Sequence, residues 1–527
     1  MSHLSLREFR KSSIFRLGLA VILMFTFAVA CGGGGEEEPT EEALEQPTEV
    51  VVEEPTEAPM EEATEAPVEE ATEAPMEEAT EAPAEEATEA PMEEATEAPM
   101  EEATEAPEVN TDVSGSLSIL GFSLPDEVAT VRVDRFKELY PNVEVNLTEG
   151  SLDQQQFLTA VASGNPPDLI YTNREVLSTY ATRGALMPLD DCVSNMNVDM
   201  SQYRQPAVEQ VTVEGTLYGI PEFYNIILVM IDGDVLDEAG LTVDDIDTSD
   251  WDQIAAVNEQ MTQIEDGQLT RIGFDPKLPE FFPLWVHANG GQLISDDGRT
   301  AMLNSPEAVE ALEFTAGLHE PAGGRQDFIA FRDTWDFFGG NNMFVADQLG
   351  AFPMEQWYVN VLAEVSPDTN VSFKPFTDRQ GNPLSFATGN TWAIPAGSTN
   401  PEAACAFAVT MTEPDAWIAA EKERLRLREE SGQPPAGVYS GNVLADDVIF
   451  GELLQTTGSE QFDQALDVIL EVQDNAFSTP GNPAGAEFRQ AWIDAVNRVL
   501  NGEQTAEEAL NQAQDEAQAA LDEGWAE

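Results

Sequence analysis

Asp232, Asp234 and Asp237 stand at the alternating spacing of an oxygen-rich calcium loop. Such a loop also needs a turn glycine at its sixth position and a closing glutamate at its twelfth. This run has neither, so it reads as a solvated loop entering a helix. His3, His287 and His319 form no metal-ligand spacing. No Gly-x-Ser-x-Gly, P-loop or Gly-x-Gly-x-x-Gly occurs, so neither a metal nor a cofactor is expected. Carboxylates are abundant, and two of them about 5–9 Å apart can hydrolyse a glycosidic bond. Residues 113–527 hold 68 acidic side chains, so such a pair arises by chance. A secreted glycoside hydrolase therefore stays open, and turnover would separate it from a receptor that returns its ligand unchanged.

A second candidate is the stretch SGNPPDLIYTN, residues 163–173. A helix-like run stops at Gly164, two prolines follow, and the short apolar burst DLIYT ends on Asn173. In open α/β sheets, ligands bind just beyond the carboxyl ends of parallel strands. Asn173 either offers its amide to such a ligand or caps the helix that begins at Arg174 and Glu175, since Asn is a favoured cap.

The elements that position these residues occupy only part of the chain. Residues 1–31 carry Arg7, Arg10, Lys11 and Arg16, then the apolar run LGLAVILMFTFAVA, a basic region and apolar core of signal-peptide length. The run is short of the roughly 20 residues a membrane span needs. It ends in AVAC and resembles a bacterial lipoprotein signal. That resemblance implies cleavage before Cys31 and acylation of Cys31 as a membrane anchor, with several acyl chains holding where one is marginal. Residues 32–112 hold 30 acidic side chains and no Lys or Arg, and EEATEAP recurs every eight residues from 61 to 101. A segment so charged, with so little to bury, is expected to stay disordered as a tether. Its reach exceeds the ~50 Å of a flexible chain of that length. Residues 113–527 carry 19 basic side chains against the 68 acidic ones, a net charge of −49. Nucleic acid is excluded as a partner, because phosphate binding needs clustered Lys and Arg.

Within 113–527, strands and helices alternate. GSLSILGF, VEVNLTE and DLIYT read as strands. The runs beginning at Asp126, Leu152 and Arg174 read as helices. This alternation predicts βαβ units and a largely parallel sheet. Later helix starts are marked by TSDWDQI, NSPEAVEALEF and TNPEAACAF, with a cap, an early Pro and a carboxylate in the first turn. The last ~45 residues read as helical by composition and apolar pattern. Trp251, Trp417 and Trp492 fall at helical spacing among apolar neighbours and are assigned to the core, whereas Trp525 is given no role. Cys405, on the apolar face of PEAACAFAV, reads as a buried free thiol. A disulfide with Cys192 is open to a chain outside the cytoplasm, but the spacing does not ask for one.

Several segments, in order, resemble one family. ASGNPPDLIYTNREVLSTYATRGALMPLDD, GTLYGIPEFYNIILVMIDGDVLDEAGL, SDWDQI, NNMFVADQLGAFPMEQW and GNTWAIPAGSTNPEAACAFAVTMTEPDAW are similar to stretches of the maltose-binding-like extracellular solute-binding proteins of ABC importers. The resemblance implies an α/β fold of two lobes joined by crossover strands, with ligand in the cleft between them. It places one lobe at about 113–225 plus 390–430 and the other at about 226–389 plus 431–527. It implies a small solute, most readily a mono- or oligosaccharide, carried to an ABC transporter permease by a monomer. A polyol phosphate, polyamine or peptide is the alternative solute in the same fold. A surface adhesin would use the tether but would not need crossovers.

The resemblance also selects site residues. Sugars offer C–H faces that pack on flat rings and hydroxyls that need carboxylates and amides. Aromatic residues beside acids or amides at the family's cleft positions are Tyr224 with Glu222, Trp285, Trp357 with Glu355, and Trp392 with Asn390. Phe122 and Ser123, after the first strand, and Asn173 complete the cleft. For each ring, a place in the core is the competing assignment. GQPPAGVYSGN resembles the family's Pro-rich approach to the cleft, where a basic residue is frequent. Gly437 and Val438 stand there instead, leaving Tyr439 as a substitute.

Overall fold

From Gly115 the residues alternate between outward and inward, with Leu117 and Ile119 fully enclosed. This period of two is that of a strand with one covered face. The computed structural model describes residues 112–526, and the signal-like stretch, Cys31 and the acidic repeat lie outside the described residues. Strands β1 (Gly115–Leu120), β2 (Val143–Thr148) and β3 (Leu169–Asn173) are parallel neighbours, connected by helices α1 (Glu127–Leu139) and α2 (Gln154–Ala162). Both helices start on an aspartate. Asp126 accepts from the Ala129 amide at 3.0 Å and Asp153 from the Gln156 amide at 2.7 Å, which satisfies amides that a helix start leaves unpaired. A short helix, α3 (Leu177–Thr182), follows β3.

Seven further strands complete two sheets: β4 (Ile220–Pro221), β5 (Ile227–Asp232), β6 (Gln263–Glu265), β7 (Gln268–Phe274), β8 (Leu349–Glu355), β9 (Val371–Pro375) and β10 (Asn390–Ala393). The first sheet has the order β2-β1-β3-β10-β4 and the second β9-β5-β8-β7-β6. The expected parallel character holds for β1 to β3. However, β10 is antiparallel to both β3 and β4, and in the second sheet only β7 and β8 are parallel. The reason is connectivity, since a strand returning from the neighbouring sheet enters from the opposite end. Strand β5 is buried along its whole length. Its Ile227, Val229 and Ile231 face a core with Trp251, Phe274 and Trp285, and its Leu228 and Met230 face another with Phe352, Tyr358 and Phe373. A strand covered on both faces reads as a continuous apolar run, as ILVMI does.

The helices that bear on the site are α4 (Phe282–Ala288), α5 (Trp357–Val365), α6 (Pro401–Thr412), α7 (Pro414–Ser431), α8 (Gly485–Leu500) and α9 (Ala506–Gly524). Helix α6 fills the core of the first sheet, and α7 packs on α1. Helices α8 and α9 pack together against the second sheet's helices. Beyond α7 the chain touches both cores. Val438, Ala445 and Ile449 cluster with Val128, Trp417 and Ala420, while Ala436, Tyr439 and Leu454 join the second core. Residues 436–454 thus straddle both halves. Trp251, Trp417 and Trp492 are buried, as expected. Trp525 does have a role: its indole donates to the Gly298 carbonyl at 3.0 Å, and Arg299 lies over its ring at 3.9 Å. Asp232 starts a helix but is not solvated. It is buried, accepts from the amides of Asp234 and Val235, and burial pushes its pKa up to about 8.

The two cysteines correct the free-thiol expectation, because Cys192 and Cys405 form a disulfide. It ties the short helix at 190–195 to α6 across a sequence separation of 213. Reducing it is expected to lower unfolding free energy by roughly 2 kcal/mol, the low end for native bridges, because α6 stays packed in its core without it. Urea unfolding with and without dithiothreitol measures this, and coincident curves would show that the bond contributes nothing.

Candidate functional site

The chain passes from the first sheet to the second at 222–226 and back at 387–389. These crossings are hydrogen-bonded to each other: Asn225 and Thr388 exchange both backbone bonds at 3.0 Å. Arg174, the residue after β3, holds both. Its Nη1 donates to the Phe223 carbonyl, its Nη2 to the Thr388 carbonyl at 2.7 Å, and its Nε to Gln210 at 3.0 Å. Burial pulls its pKa down to about 10, which leaves it charged at neutral pH. Gln356 ties the first crossing to the end of β8. Its side chain accepts from the Ile226 amide and donates to the Tyr224 carbonyl. Nothing in the local sequence around Arg174 or Gln356 signals these roles, because their partners are remote in the chain.

Two cavities open beside these crossings. The first, about 400 Å³, lies between Asn173 and Glu175 at the end of β3 and a wall from the second half: Phe281, Phe337, Phe338, Glu355 and Trp357. The second, about 420 Å³, shares Trp357 and Phe338 with the first and is bounded by Asn360, Tyr439 and the α7 side chains Arg424 and Arg428. A ridge of two rings is common to both. Trp357 and Phe338 are stacked with centroids 6.1 Å apart and planes 17° apart, and Phe338 is 66% exposed, enough to meet a ligand. Thr388 donates to Glu355 Oε1 at 2.6 Å and the Trp357 indole donates to Oε2 at 2.7 Å. The acid and the ring are therefore locked in one orientation by β8 and the first residue of α5. Residue 356 between them points the other way, into the crossing.

For Asn173 the structure shows the cap, and it also sets the residue at the edge of the first cavity. Its Oδ1 caps the following turn by accepting from the Glu175 amide at 2.7 Å. Tyr439 lines the second cavity, with its hydroxyl donating to the Ala436 carbonyl at 2.7 Å and its ring stacked on Phe450. The basic groups on that side come from α7, not from Gly437 or Val438. Arg424 binds Asp126 and Glu127, and Arg428 binds Glu364 at 2.8 Å.

The other expected residues do not line either cavity. Trp285 is fully buried, its indole donating to the Pro276 carbonyl at 3.0 Å and its ring edge-on to Phe376; its segment contributes Phe281 instead. Trp392 is fully buried on Phe122, Tyr171 and Phe407, so Phe122 and Trp392 belong to the first sheet's core. Glu222 is fully buried and bonded to Arg132 at 2.5 Å, while Arg132 in turn lies 3.9 Å over Trp417. Tyr224 is buried between the guanidinium groups of Arg174 and Arg204, and burial pushes its pKa up to about 12. Ser123 and Asn390 are half-buried and line neither cavity, although Asn390 pairs with Asn173 across the β3–β10 ladder. Sequence reasoning missed Lys277, Phe281, Phe337, Phe338 and Thr388. WDFFGG did carry a signal: two adjacent phenylalanines bounded by Asp336 and a glycine pair, outside any periodic element.

A model described as bacterial extracellular solute-binding protein matches residues 132–421. An arabinooligosaccharide-binding protein of Halalkalibacterium halodurans is 23% identical over 346 residues, which cover 63% of this chain and 72% of that protein. Among solved structures, CpMnBP1 with mannobiose bound superposes with a TM-score of 0.63 at 22% identity, over 76% of this chain and 99% of that one. An ABC substrate-binding protein from Listeria monocytogenes, in complex with cycloalternan, gives 0.60 at 18% identity, over 78% and 99%. These likenesses give the two-lobed α/β architecture, and the family match spans the β3 edge, both crossings and the Glu355–Trp357 pair. The chain therefore belongs to the family of bacterial extracellular solute-binding proteins.

Proposed function

We propose that the protein is a membrane-anchored extracytoplasmic receptor that captures a saccharide and presents it to the permease of an ABC transporter. The observation that carries this reading is the Glu355–Trp357 pair facing Asn173 across the first cavity. A fixed carboxylate and amide can orient hydroxyls, while the exposed ring ridge packs C–H faces. Ligand would touch Asn173 on one half and Trp357 on the other only when the halves approach, so it would favour the closed arrangement by its differential affinity. The names of the relatives, which include mannobiose and arabino-oligosaccharide binders, support a sugar over a polyamine or peptide. On this reading, acylated Cys31 supplies the anchor, the acidic repeat supplies the reach, and the receptor acts as a monomer.

A thermal-shift screen with mannobiose, maltotriose and arabino-oligosaccharides, beside polyamines and peptides, tests it. A binder at tenfold its Kd should stabilise the native state by about 1.4 kcal/mol and raise the melting temperature accordingly. The same oligosaccharide recovered intact by chromatography is expected of a receptor. Cleavage would make the chain a hydrolase, and a shift with polyamine alone would discard the sugar.

A further inference from the structure

Lys277 lies in DPKLPE at the edge of the first cavity, with its backbone in the left-handed region at φ 57°. Side chains rarely adopt that conformation. Asp275 holds it here by accepting the Lys277 amide at 2.7 Å. The residue is only 8% exposed, yet among the described residues its ammonium has no hydrogen-bond acceptor and no ion-pair partner. Its surroundings are ring faces: Phe281 and Phe337 at 5.9 Å and Phe352 at 6.0 Å. Rings compensate a cation only in part. The nearby carboxylates are engaged elsewhere. Asp275 sits 3.3 Å from Arg332, Glu280 lies 3.8 Å from the same guanidinium, and Glu355 is taken by Thr388 and Trp357. Burial, reinforced by Arg332 and opposed by Asp275, Glu280 and Glu355, lowers the Lys277 pKa.

We propose that Lys277 receives a carboxylate of the ligand, so that the saccharide taken is an acidic one carrying a uronic acid unit. This rests on the saccharide reading of the cavity. A neutral hydroxyl would accept a hydrogen bond but leave the ammonium without a counter-ion. A carboxylate does both, adding an ion pair to the hydrogen bond that a hydroxyl could also accept. The flanking phenylalanine rings suit the C–H face of a sugar ring and do not suit a bare inorganic anion. Glu175, Glu280 and Glu355 also line this cavity, but Glu175 is paired with Arg489 at 3.2 Å, Glu280 lies 3.8 Å from Arg332, and Glu355 accepts from Thr388 and Trp357; the rest of the chain's negative charge acts mostly from beyond the ~8 Å screening length of physiological salt.

Isothermal titration of the full chain with galacturonate and glucuronate di- and trisaccharides, and with their methyl esters, tests the assignment. The esters keep every hydroxyl and remove the charge. The acid is expected to bind at least tenfold more tightly than its ester. Lys277→Met should bring that ratio to about one, and Lys277→Arg, which keeps the cation, should hold it above threefold. If a variant fails to fold, the acid-to-ester ratio of the unaltered chain still decides. Equal or tighter binding of the esters, or a ratio that survives Lys277→Met, overturns the carboxylate assignment and leaves the sugar receptor standing. Binding of no saccharide, charged or neutral, overturns both.

Discussion

Arg174→Met is expected to destabilise the folded chain by about 3 kcal/mol. The Phe223 and Thr388 carbonyls each lose a buried donor, and leaving such a group unpaired costs about 1–3 kcal/mol. The bond to Gln210 also goes. Removing an enclosed charge gives part of this back, which is why the estimate is well below the sum. Arg174→Lys keeps the charge but cannot span three acceptors with one ammonium, so about half the loss is expected there. Gly389→Ala attacks the same junction from the other side. Gly389 has φ 144°, and a β-carbon on it would lie 2.3 Å from the Phe223 carbonyl oxygen. Urea unfolding of the three variants measures all of this. A loss under about 0.5 kcal/mol for Arg174→Met would mean that the crossings are held by their own Asn225–Thr388 pairing and that the guanidinium is incidental.

This junction also shows where reading the chain residue by residue stops. Strands β1 to β3 and their helices were legible, because period-two and helical patterns and the Asp caps at 126 and 153 act within a few residues. Strand β5 was legible as a crossover only through family resemblance, since a run of five apolar residues has no face. Strand direction in β10 and the Cys192–Cys405 bond depend on contacts between segments about 200 residues apart, and local pattern carries no term for them.

The site divides along the same line. Glu355 and Trp357 were named because the family resemblance puts an acid and a ring at this position, and the structure sets both on the wall of the first cavity, joined by an indole-to-carboxylate bond at 2.7 Å. Trp392 and Trp285 carried the same kind of signal and are core. Which side of a sheet end becomes covered is decided by Phe407 on α6 and by Phe376 after β9, and neither is near in sequence. Lys277 was not singled out from the sequence at all. A lone lysine among prolines carries no local signal, and only packing shows that its ammonium sits about 6 Å from three ring centroids.

Trp357→Ala is expected to weaken binding of the saccharide selected by the thermal screen by about a hundredfold, or about 2.7 kcal/mol. Truncation removes a ring that serves both cavities, unstacks Phe338, and frees Glu355 Oε2 from its indole donor. Loss of a central aromatic anchor typically costs 2–4 kcal/mol. Trp357→Phe separates the contributions. It keeps a flat face and loses the hydrogen bond, so about a tenfold loss is expected, close to that of Glu355→Gln, which weakens the same bond from the other partner. Because Trp357 is only half-buried, the ligand-free melting temperature should move little in any of the three. Isothermal titration and melting, run on each variant, distinguish a ligand contact from a packing residue. If Trp357→Ala lowers the melting temperature by many degrees while the affinity of what remains folded is unchanged, the ridge is a structural wall, and the ligand must be read by other residues of the two cavities.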